Sequence, residues 1–533
     1  WSVLPTLITL FSRKTMASHS SCWIRLALLL MMIALTLNCC HAMPTAPSSE
    51  PSGLPSTSSS TDLNQWTRVG AAIDGDATGD FFGSAVSLSQ DGSRVAVGAP
   101  SGNGSMGYVR VFEYNSSSWL QLGNDIHGVA VGSASGKSVS LSFDGNRIAV
   151  GAPLGRIHNY GMVRVFEYVS SSWLQLGGDI DVGSSGDKNG EAVSLSFDGN
   201  FVAIGAPRSS YASVNAGQYR VFEYNTSTWV QVGGTGSGDT GDMAGQSVAL
   251  SSNGRRVAIG IPKADSDSAL NVGEVRIFDY SSGWTSVGSK IVGEIEGDES
   301  GWSISLSANG TRVAIGAIGI GYNGTDGNAG HVRVYEYNTS HWLQLGDKID
   351  GLAAGDQCGY SVSLSSNGNR IALGCPFNNN GGTSAGQVRL FDYDIISGNW
   401  IQTGIDISGS HEHELFGCSV SLSEDGSSVA IGACNTSQTG QITVLDLTLI
   451  PSPTPTTPPT PFPSEEIETS FPTAYSPDEP SAIPSAGGSL GPPTAAPTMG
   501  LGEGTTVFPT AYSPGEPSAI PSAGGSLGPP TAA

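Results

Sequence analysis

The chain has 533 residues, of which 73 are Gly and 30 are Pro, and only 13% are charged. That is the composition of turns and strands, and it excludes a helical protein. Lys and Arg number 23 against 46 Asp and Glu, a net charge of -23, so nucleic acid and anionic membrane surfaces are repelled as partners.

Residues 1–15 precede the first methionine, Met16, and read as in-frame sequence upstream of the true start. From Met16 a short region bearing Arg25 leads into the apolar run Leu26 to Leu37 and then Cys40-His-Ala42, spaced for signal peptidase. Residues 16–42 are therefore expected to be a secretory signal peptide, with a signal anchor as the alternative, and 43–61 a Ser/Pro-rich linker. Cys358, Cys375, Cys418 and Cys434 remain after cleavage, and four cysteines in an oxidising compartment allow three pairings. N-x-Ser/Thr sequons begin at Asn103, Asn115, Asn225, Asn309, Asn323, Asn338 and Asn435, the pattern of a secreted glycoprotein.

From 62 to 449 the chain repeats. Trp66, Trp119, Trp173, Trp229, Trp284, Trp342 and Trp400 follow one another at spacings of 53 to 58 residues. Each unit holds four alternating, strand-like pieces of the type SVSLS, RVAIGAP, GxVRVFEY and WLQLG. The first two are joined by Asp-Gly or Asn-Gly, which suits a tight two-residue hairpin. One four-stranded sheet of this length cannot cover both its faces, whereas seven around an axis cover one another. The fold class is therefore all-β, a seven-bladed β-propeller of four-stranded antiparallel blades. Trp66 precedes the first SVSLS-type strand and proline follows the last unit, so the first strand is expected to complete the seventh blade.

The segments FFGSAVSLS at 81–89 and VAVGAP at 95–100 resemble FG-GAP repeats, the units of integrin-α-type propellers and of many secreted proteins. The resemblance covers all seven units and implies architecture more than activity. Phe-Gly survives at Phe82-Gly83 and Phe416-Gly417. The calcium-binding members carry a longer acidic hairpin loop, here shrunk to Asx-Gly, so their metal ligands do not transfer.

Residues recurring in every unit read first as scaffold. The tryptophans pack between blades, with sugar stacking as the rival reading. Arg110, Arg164, Arg220, Arg276, Arg333 and Arg389, each followed three residues later by an acid, form one row, and Arg94, Arg147, Arg256, Arg312 and Arg370 form another. Both suit inter-strand ion pairs. Asp80, Asp187, Asp242, Asp298 and Asp356 either ring the channel mouth or accept turn amides. The expected cofactor is none; the calcium alternative rests on Asp74, Asp76, Thr78 and Asp80 in the segment 74–80, where Asp74, Asp76, Thr78 and Gly79 match the first, third, fifth and sixth places of an EF-type loop that has Ala85 in place of its final glutamate. His411 and His413 form a metal pair without a third ligand of matching spacing. Disulfides within each blade, Cys358 with Cys375 and Cys418 with Cys434, are the first choice.

The Asx-Gly turns share one face with the FEYNSSSW turns. On the other face the loops between the second and third strands differ in every copy, and variation on a fixed frame suits recognition. Blades two to four lack sequons there, and their loops place Arg156, His158, Tyr160, Arg208, Tyr211 and Lys263 as a basic and aromatic binding patch. No H-E-x-x-H, G-x-S-x-G or P-loop occurs. After Leu449 comes a proline-rich stalk, 450–533, in which the segment at Phe471 recurs from Phe508. The expectation is a monomeric, non-catalytic binding or adhesion module, secreted or at the cell surface, with an extracellular protein or glycan as partner. Membrane attachment would require a C-terminal segment beyond Ala533. The alternatives are a propeller-type glycosidase or lyase and a structural wall glycoprotein.

Overall fold

A computed structural model describes residues 64–449 except 156–159, 182, 185, 320–328 and 436–438. The expected signal peptide, linker and stalk lie outside the described residues.

The chain is a seven-bladed β-propeller. Its seven antiparallel sheets each run from an inner strand through a second and third to an outer one. In the first blade these are Ala85–Leu88, Arg94–Ala99, Tyr108–Tyr114 and Trp119–Gln121. The last sheet takes its inner three strands from Phe416–Leu422, Ser428–Ala433 and Gln441–Leu449, and its outer strand is Asn64–Arg68 from the other end of the sequence. Trp66 pairs with Leu447 in that register, which closes the ring as expected.

The alternation inside the second strand explains how one repeat makes a circle. In Arg94-Val-Ala-Val-Gly-Ala99, Val95 and Val97 pack with Ala430, Ile442 and Val444 of the seventh blade, while Ala96 packs with Val139, Ile148 and Val150 of the second. Large side chains face one neighbour and small ones the other, so the buried apolar side chains form seven cores, one at each blade interface. On the small side the blades approach so closely that a Cβ on Gly98 would collide with the carbonyl of Gly136. The same pairing joins Gly151 to Gly190, Gly205 to Gly245, Gly260 to Gly301, Gly316 to Gly359, Gly374 to Gly417 and Gly432 to Gly83. Only glycine fits such an approach.

The hairpin between the first two strands departs from the expected two-residue turn. Ser89 N–H donates to the Arg94 carbonyl and Gly92 N–H to the Ser89 carbonyl, so four residues form the loop. The glycines take φ between 63° and 72°, but the Asx residues do not enter positive φ. Their carboxylate or amide oxygen instead accepts from the serine hydroxyl two residues earlier and the N–H two residues later, as Asp91 does from Ser89 (2.7 Å) and Ser93 (3.0 Å). That geometry suits a four-residue loop.

Candidate functional site

The repeated polar residues are consumed in joining blades. Each indole N–H donates to a carbonyl of the preceding blade: Trp119 to Val69, Trp173 to Leu122, Trp229 to Leu176, Trp284 to Val232, Trp342 to Val287, Trp400 to Leu345, and Trp66 to Thr403 across the closure. The tryptophans are thus packing residues. The second arginine row bridges two blades at once: Arg94 binds Glu113 in its own sheet (2.8 Å) and Asn146 in the next hairpin (2.5 Å). Arg147, Arg256, Arg312 and Arg370 likewise hold Glu167, Asp279, Glu336 and Asp392. The acid three residues after Arg110 therefore pairs with Arg94 instead, because residues three apart on a strand face opposite ways. Arg110 turns to Asp125 and Asp76.

On the variable face, each loop between second and third strands lies along the loop that enters the next blade. Asn189 N–H donates to the Tyr160 carbonyl, Met243 to Asn215 and Glu299 to Asn271. The Gly-Asp carboxylates lie beneath, buried, and accept turn amides: Asp187 from Ser184 (2.7 Å), Asp242 from Asp239 (2.8 Å), Asp298 from Glu294 (3.0 Å) and Asp356 from Ala353 (3.0 Å). Tyr108 donates its hydroxyl to Asp80 (3.2 Å). These aspartates hold turns.

The sequence-derived patch is only partly assembled. Arg156 and His158 lie outside the described residues. Tyr160 is half-buried, and Arg208 is exposed. Lys263 is bound to the largely buried carboxylate of Glu299 and is corrected from free ligand contact to interblade tie. The loops around it carry Asp265, Asp267, Glu294 and Glu296, so the surface beside Lys263 is not basic. Tyr211 of the expected patch is exposed, and what sequence reasoning missed are the aliphatic residues of the neighbouring loops. Tyr211 is 68% exposed, Val214 67%, Leu270 57% and Ile295 51%. They fall on two pairs of adjoining loops: Gly241 N–H donates to the Val214 carbonyl in one, and Gly297 N–H to the Leu270 carbonyl in the other, beside Ile295. The available signal was aliphatic residues stranded in Ser/Asp/Gly-rich loops.

The calcium segment disperses its groups. Asp76 forks onto Arg110 (2.8 and 2.5 Å), whose hydrogen bonds hold its carboxyl below the usual value. Asp74 accepts from Gln441 (2.6 Å), Asp80 from Tyr108, and Thr78 is exposed. Among the described residues no group of three or more His, Cys, Asp or Glu is placed to hold a metal ion. His411 lies 3.6 Å from Glu414, and the backbone N–H of His413 is tied to Thr383. Cys358 is bonded to Cys375 and Cys418 to Cys434, each within one blade. Asn103, Asn115, Asn225, Asn309 and Asn338 are exposed, and Asn323 lies outside the described residues. Asn435 is only 1% exposed, which removes it as a glycan acceptor of the folded chain.

No protein-family model matches the chain, and no curated protein matches it. Among solved structures it is similar to the hydrazine synthase of Kuenenia stuttgartiensis, at 13% identity and a TM-score of 0.47, over 71% of this chain and 98% of that one. Nothing of that enzyme's chemistry is carried to this chain.

Proposed function

We propose that the chain is a secreted or cell-surface, non-catalytic binding module of FG-GAP type. Its partner, an extracellular protein or glycan, docks on the loop face of blades three to five. The reading rests on one observation: Tyr211, Val214, Leu270 and Ile295 are each more than half exposed on the loops of blades three to five, the face where the copies differ. Tyrosine beside aliphatic side chains is the composition of an interface centre, rimmed here by Arg208 and the acids of the neighbouring loops. The five exposed sequons on the described residues support an extracellular life.

The test uses the full chain, displayed against a glycan array and extracellular matrix proteins. Tyr211→Ala with Leu270→Ala is expected to weaken binding at least about tenfold. Leu120→Ala with Leu174→Ala, equally exposed on the outer strands, is expected to leave it unchanged. Binding that survives the first pair, or release of cleaved sugar from a bound glycan, overturns the proposal.

A further inference from the structure

The opposite face contains a site that no repeat logic explains. The residue between SLS and Asx-Gly takes five identities in the seven copies, yet its backbone does the same thing in all of them. Gln90 N–H donates to the Phe143 carbonyl, Phe143 to Phe197, Phe197 to Ser252, Ser252 to Ala308, Ala308 to Ser366, Ser366 to Glu424, and Glu424 back to Gln90, at 2.7 to 3.0 Å. This closed ring of peptide groups encircles the axis and leaves the seven side chains free to vary.

Six of these residues, all but Ser252, line a cavity of about 150 Å³ at the axis together with the seven leucines of the inner strands. Phe143, 40% exposed, and Phe197 form an aromatic pair with centroids 5.1 Å apart. In the seventh blade Glu424 contributes a carboxylate. One of its oxygens accepts from the Ser366 hydroxyl (3.0 Å), while Oε2 is buried with no hydrogen-bond partner. Glu424 is the one acidic residue among those that line the cavity.

We propose that this axial cavity binds a small organic cation, an alkylammonium whose charged head meets Glu424 and the phenyl faces while its alkyl part rests on the leucine collar. Aromatic faces attract an ammonium through their quadrupole, and a carboxylate supplies the hydrogen-bond acceptor. A cavity of about 150 Å³ holds a molecule about the size of benzene, which sets the ligand at a handful of heavy atoms.

The experiment titrates the full chain with n-butylammonium and with its neutral counterpart n-butanol, reading affinity by ligand-observed NMR. Butylammonium is expected to bind at least about tenfold more tightly than butanol. Glu424→Gln keeps the backbone ring and an acceptor for Ser366 and is expected to reduce that preference several-fold, while Phe143→Ala weakens the ammonium about tenfold. Equal affinities for the two probes, no binding of butylammonium at about 50 mM, or undiminished binding by a folded Glu424→Gln protein overturns the proposal. The comparison of the two probes requires no variant, and it is independent of the loop-face reading.

Discussion

At the scale of single residues, the repeat is a list of interblade hydrogen bonds, and the one that fails is the most informative. The middle serine of each inner strand accepts the leucine N–H of the next blade: Ser87 from Leu141, Ser140 from Leu195, Ser194 from Leu250, Ser305 from Leu364, Ser363 from Leu422, and Ser421 from Leu88, all at 2.9 to 3.0 Å. In the fourth blade the position is Ala249, and Leu306 gains no such partner. Ala249→Ser is expected to stabilise the protein by about 0.5–1 kcal/mol in urea unfolding, the usual net worth of a restored hydrogen bond; an unchanged or lowered midpoint would show that the hydroxyl is not accommodated. The hairpin aspartates contribute to the acid limit. Burial works to raise the carboxyls of Asp91, Asp144, Asp198 and Asp425, but hydrogen bonds from neighbouring serine hydroxyls and backbone N–H groups overcome it and hold each below 3.8. A depressed carboxyl contributes its stability above the unfolded value and loses it as the pH falls through the folded one. The contribution is therefore complete above about pH 4 to 5 and fades below about 3.8. Replacing all four by Asn, the residue already present at 253, 309 and 367, is expected to flatten the acid side of a thermal-midpoint-versus-pH curve and to leave neutral pH nearly unchanged.

At the scale of elements, the close glycine pairs decide how near two blades lie. Gly260→Ala is placed against the Ser247 hydroxyl, which can rotate away, and the backbone carbonyl of Gly301, which cannot, and is expected to cost about 1–3 kcal/mol. The same change at Gly104, which has open space around it but a φ of 66°, is expected to cost only about 1 kcal/mol, from backbone strain alone. A denaturation series of the two separates contact from conformation. These pairs also show what was legible beforehand. The blade count, the strand order and the clasp followed from the tryptophan spacing and the period-two pattern, because burial on both faces of a strand leaves a strong periodic signal. The four-residue hairpin was not legible, since Asx-Gly serves both turn types and only the side-chain acceptor role of Asp91 distinguishes them. The candidate sites were least legible. Lys263 looked free until Glu299, 36 residues away, was seen to hold it. Glu424 and Phe143 are brought to one cavity by a ring that joins residues from every blade, and nothing in local sequence announces it.

At the scale of the whole molecule, closure depends on five residues. Asn64–Arg68 supplies the outer strand of the seventh blade, where Trp66 donates to Thr403 of the sixth blade (3.2 Å) and Thr67 bonds Thr448 (2.8 Å). Without it the third strand, Gln441–Leu449, keeps Ile73 and Asp74 opposite Ile442 and Gln441 but becomes an edge with unpaired N–H and C=O groups from Leu445 to Leu449. The seventh blade then lacks its tryptophan tie. Because each blade contributes to two of the seven cores, loosening one exposes apolar side chains on both its neighbours. A chain beginning at residue 72 is therefore expected to lose the single cooperative unfolding transition and to melt first through the seventh and first blades. The loss should exceed that of Trp173→Ala, which removes a comparable indole but leaves its strand paired. Hydrogen exchange read along the chain separates the outcomes. Early loss of protection at 416–449 and 85–121 supports the clasp, whereas uniform protection in the truncated protein would mean that the seven interfaces hold the circle without it.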